Sequence, residues 1–128
     1  MSLTLVFRST TDHTVGPLTS FRLDGEVLRR GDGELVAKHE RNVWRINEVQ
    51  YPRLECKGSV SIWFERASTT ETSRRFGPHN GLALYDGVAY IGQHVFASLD
   101  EEARNWYSHE IGHHWKVMVV ESAVPAGS

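Results

Sequence analysis

The 128-residue chain carries 14 Lys+Arg against 16 Asp+Glu, a net charge of −2, with 40% hydrophobic and 23% charged residues. That length and composition fit one globular domain with its own core and exclude a disordered chain. The near-even charge offers no long-range attraction for phosphates, so nucleic acid is not an expected partner.

In chain order, Met1 to Arg8 shows no basic leader followed by an apolar stretch and a small-residue cleavage site. It reads as a strand over Leu3 to Ser9 rather than a signal peptide. Phe21 to Arg29 places Asp24-Gly25 between two short alternating arms. Asp-Gly accepts the positive φ angles of a tight primed turn, so this segment predicts a hairpin. Gly31-Asp32-Gly33 opens another turn, and Leu35-Val36-Ala37 and Val43 to Ile46 read as further strands. His39-Glu40-Arg41 between them reads as a charged strand face or turn.

Tyr51-Pro52 marks an edge or a strand entry, because proline lacks the ladder donor. Cys56 is the only cysteine, which excludes an internal disulfide and a thiolate-rich zinc site. It reads as a small core filler. Together with the start of the chain, it leads to the expectation of a cytoplasmic protein. Val60, Ile62 and Phe64 alternate with Ser59, Ser61, Trp63 and Glu65, a clean strand with one apolar face. Arg66 to Arg75 reads as an exposed loop, and Phe76 to Gly81 as a turn cluster. Leu82 to Tyr85 and Val88 to Ile91 flank Asp86-Gly87, a second hairpin. No apolar run approaches the roughly 20 residues that span a bilayer, so no membrane partner is expected.

Asp100 to Glu121 decides between two chemistries. Asp100 suits a helix N-cap, with Glu101 and Glu102 at the positive end of the dipole. Ala103, Tyr107, Ile111 and Trp115 recur every four residues, which predicts an amphipathic helix. On it, His109 and His113 would sit about 40° apart on the flank away from that stripe.

The run His109-Glu110-Ile111-Gly112-His113 resembles the His-Glu-x-x-His helix of zinc-dependent metallopeptidases. The resemblance implies zinc held by His109 and His113, with Glu110 as general base on a metal-held water. A third ligand would be Glu121, His79 or His94. The residues also permit a different path, with a short helix ending near Gly112 or a hairpin in its place. A closing strand from Trp115 to Val120 would then follow, as its β-branched residues favour.

No Gly-x-Ser-x-Gly elbow, dinucleotide fingerprint or P-loop run occurs. Trp44, Trp63, Trp106 and Trp115 read as core anchors, with Trp63 the candidate for a ligand or interface role because its strand neighbours on that face are polar. The expected fold is mainly β, a sandwich or partly open barrel of about eight to ten short antiparallel strands, with one short helix near the C-terminus. Residues 1–122 form a single domain and 123–128 a flexible tail. The expected function is binding without catalysis, of a small molecule or a protein partner, a homodimer included, with no cofactor. A zinc-dependent, peptidase-like hydrolase is the alternative.

Overall fold

The computed structural model describes residues 3–65 and 75–123. Among them there are sixteen strands and no helix. The strands are β1 (Leu3–Arg8), β2 (Asp12–Leu18), β3 (Ser20–Asp24), β4 (Val27–Arg30), β5 (Leu35–Glu40), β6 (Val43–Ile46), β7 (Val49–Tyr51) and β8 (Arg53–Lys57). They continue as β9 (Val60–Glu65), β10 (Arg75–His79), β11 (Leu82–Tyr85), β12 (Val88–Ile91), β13 (His94–Asp100), β14 (Asn105–Ser108), β15 (His113–Trp115) and β16 (Val117–Ser122).

They form two eight-stranded antiparallel sheets. The first runs β15-β14-β13-β12-β11-β8-β1-β2, the second β10-β9-β16-β3-β4-β5-β6-β7. Each sheet turns its apolar side chains toward the other, as period-2 alternation requires when one face is buried. The core draws Leu5, Phe7, Leu54, Leu84, Phe96 and Trp106 from the first sheet and Phe21, Leu23, Trp44, Ile62, Phe64 and Met118 from the second. Phe64 and Phe96 stack across the gap at 5.8 Å, interplanar angle 12°. Trp106 Nε1 donates to the carbonyl of Gly25, joining β14 to the β3–β4 turn over 81 residues of sequence.

Tight turns make the meander possible. Asp86 and Gly87 adopt φ of 51° and 70°, and Arg41 and Asn42 adopt 50° and 67°; both pairs fit the two positive φ angles of a primed hairpin turn. The first Asp-Gly hairpin also forms, but Asp24 closes the ladder opposite Val27, so its turn is Gly25-Glu26. The expected edge at Tyr51 is present, since β7 is the last strand of its sheet. Phe76 to Gly81, expected as a turn, is mostly strand β10 with a cis Gly77-Pro78 bond. The loop expected at Arg66 to Arg75 lies outside the described residues up to Arg75, where β10 begins, and the expected tail does so after Ala123.

The short C-terminal helix is not there. Asp100 ends a strand, residues 101–104 turn, and β14 returns antiparallel to β13 with Leu99 opposite Trp106. A second reversal at residues 109–112 brings β15 back with Trp115 opposite Trp106. The hairpin prevails because Trp106 and Trp115 both enter the core from neighbouring strands. On one helix, nine residues apart, they would diverge by about 180°. Burying two indoles outweighs the propensity of the intervening residues.

Candidate functional site

Four of the seven histidines collect toward one edge of the first sheet. His94 begins β13, His109 and Glu110 sit on the β14–β15 loop, and His113 and His114 begin β15. A bulge shapes the strand beneath them. Between Ala89 and Tyr90 of β12 the register of β13 shifts, so Phe96 and Ala97 both face the core while Val95 and Ser98 both face out.

The loop carrying the pentapeptide is closed locally. Gly112 N–H donates to the Ser108 carbonyl at 2.7 Å, and Ile111 N–H to Ser108 Oγ at 3.2 Å. Gly112 takes φ +79°, which a residue with a side chain adopts only at a cost. Ser108 is fully buried and pairs with His113 across the hairpin.

This geometry sends the pentapeptide's groups in different directions. His109 Nε2 meets Ser98 Oγ at 3.1 Å, and its ring stands edge-on to Tyr107 at 5.2 Å. Glu110 Oε1 contacts His94 Nε2. The His113 ring lies 6.4 Å from Trp115, a residue that faces the core, whereas Tyr107 faces outward. His109 and His113 therefore do not share a helix face. The other ligand candidates lie apart from them. His79 is on β10 of the second sheet, with its ring 5.8 Å from Phe96, and Glu121 is on β16 opposite Ser20 and Ser61. Among the described residues no three His, Cys, Asp or Glu side chains form a group that could hold a metal ion.

What the edge does assemble is an outward-facing row. Register places Arg53, Tyr85, Val88, Ser98, Tyr107 and His114 side by side across β8, β11, β12, β13, β14 and β15. Ala83, Tyr90 and Val95 form the next row on the same face. With strands about 4.8 Å apart, Tyr85 and Tyr107 stand roughly 14 Å from one another. Tyr85 is 48% exposed and Val95 37%, and Tyr90 and Tyr107 are half-buried. At the far end of the row His114 Nε2 meets Asp100 Oδ2 at 3.1 Å, and its ring lies 4.9 Å from Tyr107. At the near end Arg53 and Arg8 both bind Glu55, at 2.8 and 3.1 Å. The near end thus sets two guanidinium groups against one carboxylate, while Tyr107 is flanked by the His109 and His114 rings and Tyr85 is the more exposed of the two tyrosines.

Trp63 faces outward on the second sheet, half-buried, with the Arg75 guanidinium 4.2 Å above its ring. Its indole face is thus occupied by a cation from its own chain. Cys56 is buried, and burial pushes its thiol up to about 12, so it is no nucleophile at neutral pH.

The tyrosine row was not singled out from sequence, although the signal existed. In the Leu82–Ile91 hairpin, Ala83, Tyr85, Val88 and Tyr90 all oppose the apolar phase of Leu82, Leu84 and Ala89. Depressions of about 260 to 340 Å³ also occur: one beside Gly58 and Gly81 is lined in part by Arg53 and Ala83 and so adjoins the same face, and another lies beside Pro17 and Gly31. No family model matches this chain, and neither the curated proteins nor the solved structures compared with it give a match. No helix among the described residues is long and apolar enough to cross a membrane.

Proposed function

We propose that this chain is a non-catalytic binding domain that docks a protein partner on the outer face of its first sheet. The observation that carries the reading is the outward-facing row running through Tyr85, Val88, Ser98 and Tyr107, with Tyr90 and Val95 beside it. Tyrosine suits such a role because it offers a large rigid ring at low entropic cost and a hydroxyl for a polar contact. A broad sheet face fits a protein surface better than a small molecule, which favours a concave pocket. The His109–Ser98 and His114–Asp100 pairs form a polar rim around the aromatic centre.

Ser98 and His109 lie within hydrogen-bond distance, but the Glu110 carboxylate beside them is engaged by His94. A nucleophilic serine needs its base oriented by a third group, so this pair supports a rim contact rather than catalysis. The zinc-hydrolase alternative requires His109 and His113 to converge, and its measurement is stoichiometric zinc that vanishes in His113→Ala.

The binding reading is tested by placing a photoreactive side chain at Tyr107 in cells that make the protein. Capture of one partner from that position, but not from Val49 on the other sheet, supports it. Equal capture from both positions overturns it.

A further inference from the structure

At the end of the sandwich beside Asp100, three hairpin turns close on a single imidazole. His39 lies on β5 of the second sheet, its residue only 3% exposed, with its ring edge-on to Trp44 at 5.1 Å. Its backbone N–H donates to Glu26 of the β3–β4 turn at 2.7 Å. From the first sheet the β11–β12 turn packs against the ring, so close that a Cβ on Gly87 would stand 3.7 Å from His39 Nε2. The β13–β14 turn brings Glu101, whose carboxylate is 3.9 Å from His39 Nδ1. That is beyond hydrogen-bond distance.

Among the described residues His39 Nε2 has no hydrogen-bond partner, and neither does the neighbouring Trp44 Nε1. A neutral imidazole tolerates this at a modest cost. An imidazolium does not, because both ring nitrogens become donors and the charge itself needs solvation. The charged groups that act on His39 are Glu101, Glu26 and Asp86, one from each of the three turns. Lys38 and Glu40, its neighbours along β5, are paired with one another, and Glu40 also with Arg45. Glu101 is the nearest of the three carboxylates, and it approaches only the Nδ1 side.

We propose that His39 is an acid-sensitive latch: neutral, it lets the turns of both sheets close over it, and protonated, it opens that end of the sandwich. Burial lowers the proton affinity of His39 more than Glu101, Glu26 and Asp86 raise it, so the closed state disfavours the proton. The closed form is therefore intact above the unfolded value of 6.5 and is weakened as pH falls below it. The consequence extends to the outer face. Leu99 and Glu101, which pack toward His39, alternate with Ser98 and Asp100, which hold His109 and His114. Opening the latch thus displaces the polar rim of the candidate docking face, although the latch itself does not depend on that reading.

The experiment is amide and indole hydrogen exchange by NMR on the full chain from pH 7.5 to 5, corrected for intrinsic exchange. The latch predicts faster exchange at the amides of His39 and Leu99 and at the Trp106 indole below pH 6.5. The rise is at most about tenfold per pH unit for one proton. The amides of Phe7 and Ile62 stay protected. In His39→Gln, which carries no titrating ring, the local rise disappears. Two results overturn the proposal: the same rise in His39→Gln, or exchange that accelerates uniformly across both sheets. If His39→Gln does not fold, the ring resonances of His39 in the unaltered chain decide. Titration at or above 6.5 with the end still protected contradicts the latch, and a ring that stays neutral until protection falls supports it.

Discussion

Asp100 divides its carboxylate between two structures. Oδ1 accepts the backbone N–H groups of Glu102 and Ala103 at 3.1 and 3.2 Å, while Oδ2 lies 3.1 Å from His114 Nε2 on the neighbouring hairpin. One residue thus caps the β13–β14 turn and fixes the imidazole at the end of the tyrosine row. The Ala103 N–H above all, then the His114 imidazole and the Glu102 N–H, hold the Asp100 carboxyl below its usual value, with partial desolvation opposing them. A carboxyl with a depressed folded value contributes stability above its unfolded value, here 3.8. That contribution is lost as pH falls through the folded value. Asp100→Ala should lower Tm by about 3 °C at pH 7. The difference from the unaltered chain should shrink below pH 3.8, as thermal melts across pH would show.

Gly112 separates the hairpin from the helix by the sign of one number. In the hairpin its φ of +79° makes Gly112→Ala destabilising by about 1–2 kcal/mol, and among the described residues nothing within 4 Å of the added Cβ adds a steric cost. In a helix running through the pentapeptide the same change would stabilise by about 1 kcal/mol. Chemical denaturation of the two chains gives the sign directly.

Trp106 has no exposed surface and gives its indole N–H to Gly25. Trp106→Phe removes the donor, leaves the carbonyl without it and opens a small cavity, at a cost of about 2 kcal/mol. The β3–β4 turn should loosen before the rest, so the His39 amide, bonded to Glu26, should lose exchange protection first.

Much of the sheet architecture is written in local chemistry. The Asp86-Gly87 turn and the alternation of Val60, Ile62 and Phe64 are each a short-range signal, and each appears where it was expected. Asp100 to Trp115 misled because two periodicities coincide there. Tyr107, Ile111 and Trp115 are spaced four apart, which satisfies a helix, yet the loop at 109–112 reverses the chain between them. Asp100 does cap backbone N–H groups, as an N-cap would, but those of a turn. His39, flanked by Glu40 and Arg41, looked like part of a charged face. Its burial depends on the turns at Gly25-Glu26, Asp86-Gly87 and Glu101, which no window around residue 39 contains. The tyrosine row likewise exists only in the register of four strands, which sets Tyr85 and Tyr107, 22 residues apart in sequence, in one line.

The docking face is tested most directly by two-dimensional ¹H–¹⁵N NMR of the full chain against a library of small ring-bearing fragments, which settle on the energetic centres of protein-binding surfaces. Shifts concentrated at Tyr85, Val88, Tyr90, Ser98 and Tyr107, and lost in Tyr85→Ser/Tyr107→Ser, are the predicted result. Shifts gathered instead around Trp63, or in the depression beside Pro17 and Gly31, would contradict the assignment of this face.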